Sequence, residues 1–198
     1  MAHINTIGAS MFSDLAVSKD TTQIGVITPK IAAGTVAQTD FESAFQAADF
    51  TANTAIRIRN VREFPSMGTP PNVVNVPVYG SKTSQQIQGQ ADANSMEITM
   101  NYVPADWASN STLGALVGDG KLYCFRFTLM NADPTTQAGN TEGYASSAAG
   151  LGTTQNSEYY FMGKIEALLV NPQLTDATTA TLTITLQSAL YGAYTLGT

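Results

Sequence analysis

One histidine and one cysteine in 198 residues leave little for reaction chemistry to work with. His3 lies near the start of the chain, remote from any patterned segment, which argues against a Ser-His-Asp triad, a histidine metal site or a histidine proton shuttle. Cys124 has no second thiol to pair with, so no intrachain disulfide and no oxidising compartment is implied. It falls in an aromatic run without an activating histidine and reads as a small buried hydrophobe. Neither a second cysteine at metal-ligand spacing nor a D-x-D-x-D-G calcium loop is present. Charge is also scarce: 12% of residues against the usual quarter. The balance is acidic, with net charge -6, and argues against a surface built to neutralise nucleic-acid phosphates. An acidic wall can still handle DNA by repelling it. The longest apolar runs, such as Ala167 to Val170, are far too short to cross a bilayer. The first residues, M-A-H-I-N-T-I-G-A-S-M-F-S-D, lack the basic region of a secretory signal, so cytosolic folding is expected.

What is present is patterning. An apolar content of 43% supports a real core in a single domain, with Thr, Ser, Asn and Gln carrying solubility in place of charge. Residues 1–20 read as an N-terminal arm and residues 21–198 as one domain with a long Gly-, Ala-, Ser- and Thr-rich loop over 131–157. Alternation predicts strands over Thr22 to Thr28, around Ile56 and Ile58, over Val73 to Tyr79, and over Ser95 to Val103, where Met96, Ile98, Met100 and Tyr102 alternate with Glu97, Thr99 and Asn101. Pro77 marks the third of these as an edge or a bulge. The run K-L-Y-C-F-R-F-T-L-M is a further strand. Glu158 to Val170 is another, with Phe161, Ile165 and Leu169 on one face. In Thr179 to Leu190, Leu182, Ile184 and Leu186 alternate with Thr181, Thr183 and Thr185. Phe41 and Phe45 share a face of a short helix. A second short helix follows Pro104, capped by Asp106 or Ser109 and held to a sheet through Trp107, Leu113 and Leu116. About seven strands and one or two short helices define a mainly β fold, a β-sandwich or partial barrel flanked by a helix.

Several motifs come close to chemistry and stop short. G-A-L-V-G-D-G-K-L evokes a phosphate loop, but Ala115 stands where its first glycine belongs and Leu122 where a magnesium-binding hydroxyl belongs. Asn110-Ser-Thr matches a glycosylation sequon without a secretion signal. Glu97 and Glu166 lie on separate strands; whether they face one another as glycosidase carboxylates do is open at this point. Trp107, Tyr159 and Tyr160 offer either a sugar-stacking platform, as in a carbohydrate-binding or adhesion module on a virion, or ordinary core. Arg57, Arg59 and Arg62 form a short basic stripe, better matched to carboxylates of a neighbour than to phosphates.

The order of the pieces resembles the major tail (tail tube) protein of long non-contractile-tailed, lambda-like siphophages. It runs I-R-I-R-N-V-R-E-F, V-N-V-P-V-Y-G-S, I-Q-G-Q-A-D-A-N-S-M-E-I-T-M-N-Y-V-P, L-Y-C-F-R-F-T-L, F-M-G-K-I-E-A-L-L-V and A-T-L-T-I-T-L-Q-S-A, about residues 54 to 190. Each motif is degenerate; their order carries the likeness. The resemblance implies a non-enzymatic subunit without cofactor or metal, self-assembling into hexameric rings that stack helically into a hollow conduit for double-stranded DNA during genome ejection. It also implies tail-tip initiator, tape-measure and tail-terminator partners, and a place in the virion tail after folding in the host cytoplasm. Four strands from each of six subunits would close a barrel roughly 50 Å across, leaving a bore of about 40 Å. Glu97, Thr99, Asn101, Thr181, Thr183 and Thr185 are the candidates to line it. The arm and the 131–157 loop are candidates for ring-to-ring contact.

Overall fold

The computed structural model describes residues 13–66, 73–80, 82–89, 94–108, 112–129 and 157–195. Ten strands are formed among them: β1 (Asp14–Ser18), β2 (Ala55–Arg57), β3 (Val61–Glu63), β4 (Val73–Val76), β5 (Gln85–Gln88), β6 (Ser95–Asn101), β7 (Tyr123–Leu129), β8 (Ser157–Asn171), β9 (Thr179–Leu186) and β10 (Tyr191–Thr195). The helices are α1 (Thr21–Ala33), α2 (Gln38–Glu42), α3 (Ala47–Thr51) and α4 (Pro104–Trp107), with a 3-10 turn at Gly114–Leu116.

Eight strands make one antiparallel sheet in the order β2-β1-β7-β8-β9-β6-β3, with β10 added beside β8. β2 and β3 stand at opposite ends of that order, yet only Ile58, Arg59 and Asn60 separate them in the chain. So short a link, at no more than about 3.5 Å per residue, forces the sheet to curl until its ends meet. The link is bonded to both ends: Ile58 N–H donates to Leu15 O at 2.9 Å, and Asn101 N–H donates to Asn60 O at 2.9 Å. Asn60 takes a left-handed φ of 62°, a conformation asparagine tolerates, and there the strand changes partner. The mainly β fold read from the sequence is therefore realised as one curled sheet, the partial-barrel alternative.

Alternation fills the inside of the curl. Leu15, Val17, Ile98, Phe125, Phe161 and Ile184 are all fully buried in one cluster, which Trp107, Leu113 and Leu116 join. Phe125 and Phe161 stack there at 5.0 Å. A Cβ on Gly163 would meet Thr185 O at 3.0 Å and Phe125 Cε2 at 3.3 Å, between backbone and a packed ring. Gly163→Ala is expected to cost about 1–3 kcal/mol by overpacking. It should appear as a lower urea midpoint at unchanged slope; an unaltered midpoint contradicts the tight packing.

The outer face of β1, β7 and β8 is roofed by the helices, with Ile27, Phe41 and Phe45 packed on Ala16, Cys124, Tyr160 and Met162. α1 corrects the strand expected over Thr22 to Thr28. Asp20 caps its start, accepting from Thr22 N–H at 2.8 Å and Gln23 N–H at 3.3 Å, and Gly34 ends it in a left-handed turn. Ile24, Ile27 and Ile31 then fall on one side, against the sheet. The caps and this apolar stripe outweigh the β-branched composition and the internal Pro29.

The arm read over 1–20 is corrected too: Asp14–Ser18 is buried at every position and pairs with both β2 and β7. Residues 1–12, including His3, lie outside the described residues, as do 131–156. The single helix expected through Phe41 and Phe45 is two one-turn helices, α2 and α3. The strand expected to run to Tyr79 stops at Val76, before Pro77, and pairs only with β5. Asp106 is no cap; Val103 precedes α4, with Pro104 in its first turn and no side-chain cap bond, and Ser109 is outside the described residues.

Candidate assembly surface

The pairing register sets Ser95 opposite Thr185, Glu97 opposite Thr183, Thr99 opposite Thr181 and Asn101 opposite Thr179. The inward neighbours Met96, Ile98, Leu182 and Ile184 are buried, so the polar residues project from the outer face. Glu97, Thr99, Asn101, Thr181, Thr183 and Thr185 thus come together as one uncharged-to-acidic patch, away from the helical roof.

β8 extends the patch through a bulge. Ile165 pairs with Ile184, but the next partner of β9 is Ala167, which leaves Glu166 as the extra residue. One added residue moves everything beyond it to the other face. This corrects the expected Phe161, Ile165 and Leu169 face: the first two are buried, whereas Leu169 is 61% exposed beside Thr181 and Leu168 turns to the core.

Both flanks of this three-stranded patch are open among the described residues. β7 accompanies β8 only to Gly163, after which a single bond, Gly118 N–H to Ile165 O at 2.9 Å, reaches its far edge. On the other flank β3 meets β6 only at Thr99 and Met100, leaving Ser95 to Ile98 with an unpaired edge. Leu169 and Val170 are exposed on one of these edges, and the hairpin β4–β5 presents Val73, Val74 and Ile87 exposed as well. Open edges with apolar side chains are templates for further pairing.

A second feature lies under the helical roof, and it was not singled out from the sequence. Asp14, Thr128 and Glu158 are neighbours in one cross-strand row, and Arg57, Ala16, Arg126 and Tyr160 form the next. Arg126 and Glu158 are each 1% exposed, with Arg126 Nη1 4.0 Å from Glu158 Oε1. Arg57 Nε stands 3.7 Å from Asp14 Oδ2. Of the arginine stripe expected to meet carboxylates of a neighbour, Arg57 meets one within its own chain, Asp14. Tyr160 donates its hydroxyl hydrogen bond to Glu158 Oε2. The Arg126 guanidinium lies 5.2 Å from the Phe45 ring and 5.4 Å from the Phe50 ring. Burial raises the Asp14 and Glu158 carboxyls above the usual range, against the opposing pull of the arginines. Charges from β1, β2, β7 and β8 thereby meet beneath rings supplied by α3 and the loop before it.

The chemical alternatives do not assemble. Trp107 belongs to the interior cluster and Tyr160 to the cluster under the roof, so they cannot share a sugar-stacking platform. β9 lies between Glu97 and Glu166: Glu97 pairs with Thr183 and Thr183 with Ala167, about 10 Å across two strand spacings, and both glutamates are exposed. Cys124 is fully buried and its thiol pKa is pushed up by desolvation. The glycines of the phosphate-loop look-alike form a turn in which Asp119 accepts from Lys121 N–H at 3.0 Å. Among the described residues no group of three or more His, Cys, Asp or Glu could hold a metal ion, and no helix is long and apolar enough to cross a membrane.

Comparison with known proteins gives no matching family profile and no matching curated protein. Three solved structures align with about 70% of the chain or more, each with a TM-score below 0.5. The SPP1 tail tube aligns with a TM-score of 0.45 and 15% identity over 75% of this chain and 74% of its own. The sheath/tube terminator of PVC, an extracellular contractile injection system, in the extended state aligns at 0.45 and 11%, over 69% and 87%. A chain of the anti-feeding prophage baseplate aligns at 0.40 and 10%, over 70% and 85%.

Proposed function

We propose that this chain is a structural subunit of a phage tail tube, pairing edge to edge into hexameric rings that stack into a conduit for double-stranded DNA. The observation that supports the reading best is the pair of open edges flanking the polar patch. An edge on β8 at one side and an edge on β6 at the other make a head-to-tail contact between different surfaces, the type of contact that closes into rings. Continuing the sheet through each junction removes the exposed edges that would otherwise aggregate. The patch of threonine, asparagine and Glu97 then becomes the inner wall. β6 and β9 give it no lysine or arginine and one carboxylate, Glu97, with Lys164 of β8 opposite Thr185 at its margin; the chain as a whole is acidic, with net charge -6. The tail-tip initiator, tape-measure and tail-terminator proteins are the partners this role requires, with folding in the host cytoplasm preceding assembly into the virion.

Electron microscopy of the purified chain, alone and with its tail-tip initiator, should show hollow tubes of uniform width; strictly monomeric particles under all conditions would falsify the reading. Within the tube, Glu97→Lys is expected to leave assembly intact while lowering infectivity at least tenfold, because a cation on the wall holds passing phosphates. Full infectivity with intact tubes would remove Glu97 from the lumen.

A further inference from the structure

The curl of the sheet leaves a groove where β2 hands over to β3. It is a cavity of about 940 Å³ whose apolar floor includes Val61, Phe64, Phe127 and Leu129. Phe64 and Phe127 meet there edge to face at 4.9 Å. The rim holds Arg57, Arg59 and Arg62, so three of the nine cations of the whole chain converge on it. Asp14 engages Arg57, and Glu63 is the other acid at the rim. Arg59 and Arg62 are exposed, and Arg59 also lies within electrostatic reach of Asp14. The groove therefore joins a few apolar side chains to a net positive mouth, on a chain that is acidic overall.

The turn between β8 and β9 has the complementary character. Leu174 at its tip is fully exposed, and Asp176 stands two residues on. Asp176 Oδ1 accepts from Ala177 N–H at 2.7 Å, which holds the carboxylate at the tip. Within one subunit tip and groove do not meet: Leu174 is fully exposed and lines no part of the groove.

The geometry points to a second copy of this chain as the occupant of the groove: Leu174 of one subunit enters the apolar floor of the next, and its Asp176 meets Arg59 and Arg62. Tip and groove are different surfaces on one chain, so the contact is head to tail and propagates. It rests on the tube reading and adds to it the contact between successive rings, while the sheet edges close each ring.

Cross-linking distinguishes this from the tube reading itself. A Leu174→Cys chain mixed with an Arg62→Cys chain should give a disulfide-linked dimer under mild oxidation, whereas neither chain alone should, since tip does not meet tip. The native Cys124 is buried and does not compete. In parallel, Asp176→Lys and Arg62→Glu should each raise the protein concentration needed for tubes about tenfold, and the two together should restore much of the loss. Tubes that form with no mixed disulfide, and with charge reversals that are silent or simply additive, overturn the tip-to-groove contact and leave the tube standing. Mixed disulfides without any tube overturn the tube and keep the contact.

Discussion

Arg126→Met is expected to destabilise the folded subunit by about 3–5 kcal/mol, a large part of the 5–15 kcal/mol that holds a typical domain together. The guanidinium is 1% exposed and is the cation nearest Glu158, itself 1% exposed. Methionine keeps contact with Phe45 and Phe50 but strands a carboxylate in a place water cannot reach. Removing both charges, as Arg126→Met with Glu158→Leu, is expected to recover most of the loss, because neither desolvation nor attraction then has to be met. Urea denaturation of the two single variants and the double completes the cycle. A single-variant loss below about 1 kcal/mol would show that the row is not an ionic clamp.

The same row sets a pH dependence. Asp14 and Glu158 have carboxyl pKa values raised in the folded state, burial being the largest cause and the arginines opposing it. A raised carboxyl binds its proton more readily folded than unfolded. Between the unfolded value and the folded one, stability therefore falls as pH rises. Asp40 works in the opposite sense: its pKa is lowered, first by the hydrogen bond from Lys30, so its contribution is present above the ordinary carboxyl value and lost as pH falls through the folded one. Lys30 is 42% exposed in that pair and water screens it, so the buried row dominates the slope above the ordinary carboxyl range. Glu158→Gln is expected to flatten the slope, read as urea midpoints across pH 5 to 8.

The elements that could be read from the sequence are those with one wet face. β6 and β9 alternate cleanly because Met96, Ile98, Leu182 and Ile184 point to the core while Glu97 and the threonines meet solvent. That single physical condition also delivered the polar patch as a set. β1 was hidden for the opposite reason. D-L-A-V-S is buried on both faces, so it carries no alternation, and at five residues it is too short to signal otherwise. α1 was hidden by composition: T-T-Q-I-G-V-I-T is rich in β-branched residues, and the deciding signals were the Asp20 cap and Gly34 thirteen helical residues later. The bulge at Glu166 leaves no trace in a run such as I-E-A-L-L-V, where either phase buries a leucine. The ionic row was half legible. Arg126 inside Y-C-F-R-F-T-L and Glu158 beside Y-Y-F are charges in aromatic company, but only the register of β1, β7 and β8 makes them neighbours.

Val170→Lys is expected to raise the concentration at which the chain assembles by at least about 100-fold, equivalent to about 2.7 kcal/mol per contact. Val170 lies on the stretch of β8 beyond the reach of β7 and is 40% exposed. Within one subunit its replacement should cost little, because the lysine stem can lie along the sheet and the ammonium can reach water. The situation changes when a neighbouring strand docks. Val170 pairs with Ala180, whose side chain belongs to the interior cluster, so a side chain at 170 faces the same side of the sheet. A strand added at the β8 edge would cover that side and close the ammonium's path to solvent. An inward-pointing charge on an edge strand is the device by which natural sheets prevent such pairing. Val170→Thr keeps the shape and the strand preference without the charge and should assemble almost as the parent does. Sedimentation across a concentration series, with thermal melts to show that both variants fold, reads the difference. A folded lysine variant that assembles at the parent's concentration would exclude the β8 edge from the proposed ring contact and shift it to the β4–β5 hairpin, whose Val73, Val74 and Ile87 are the other exposed apolar strand surface among the described residues.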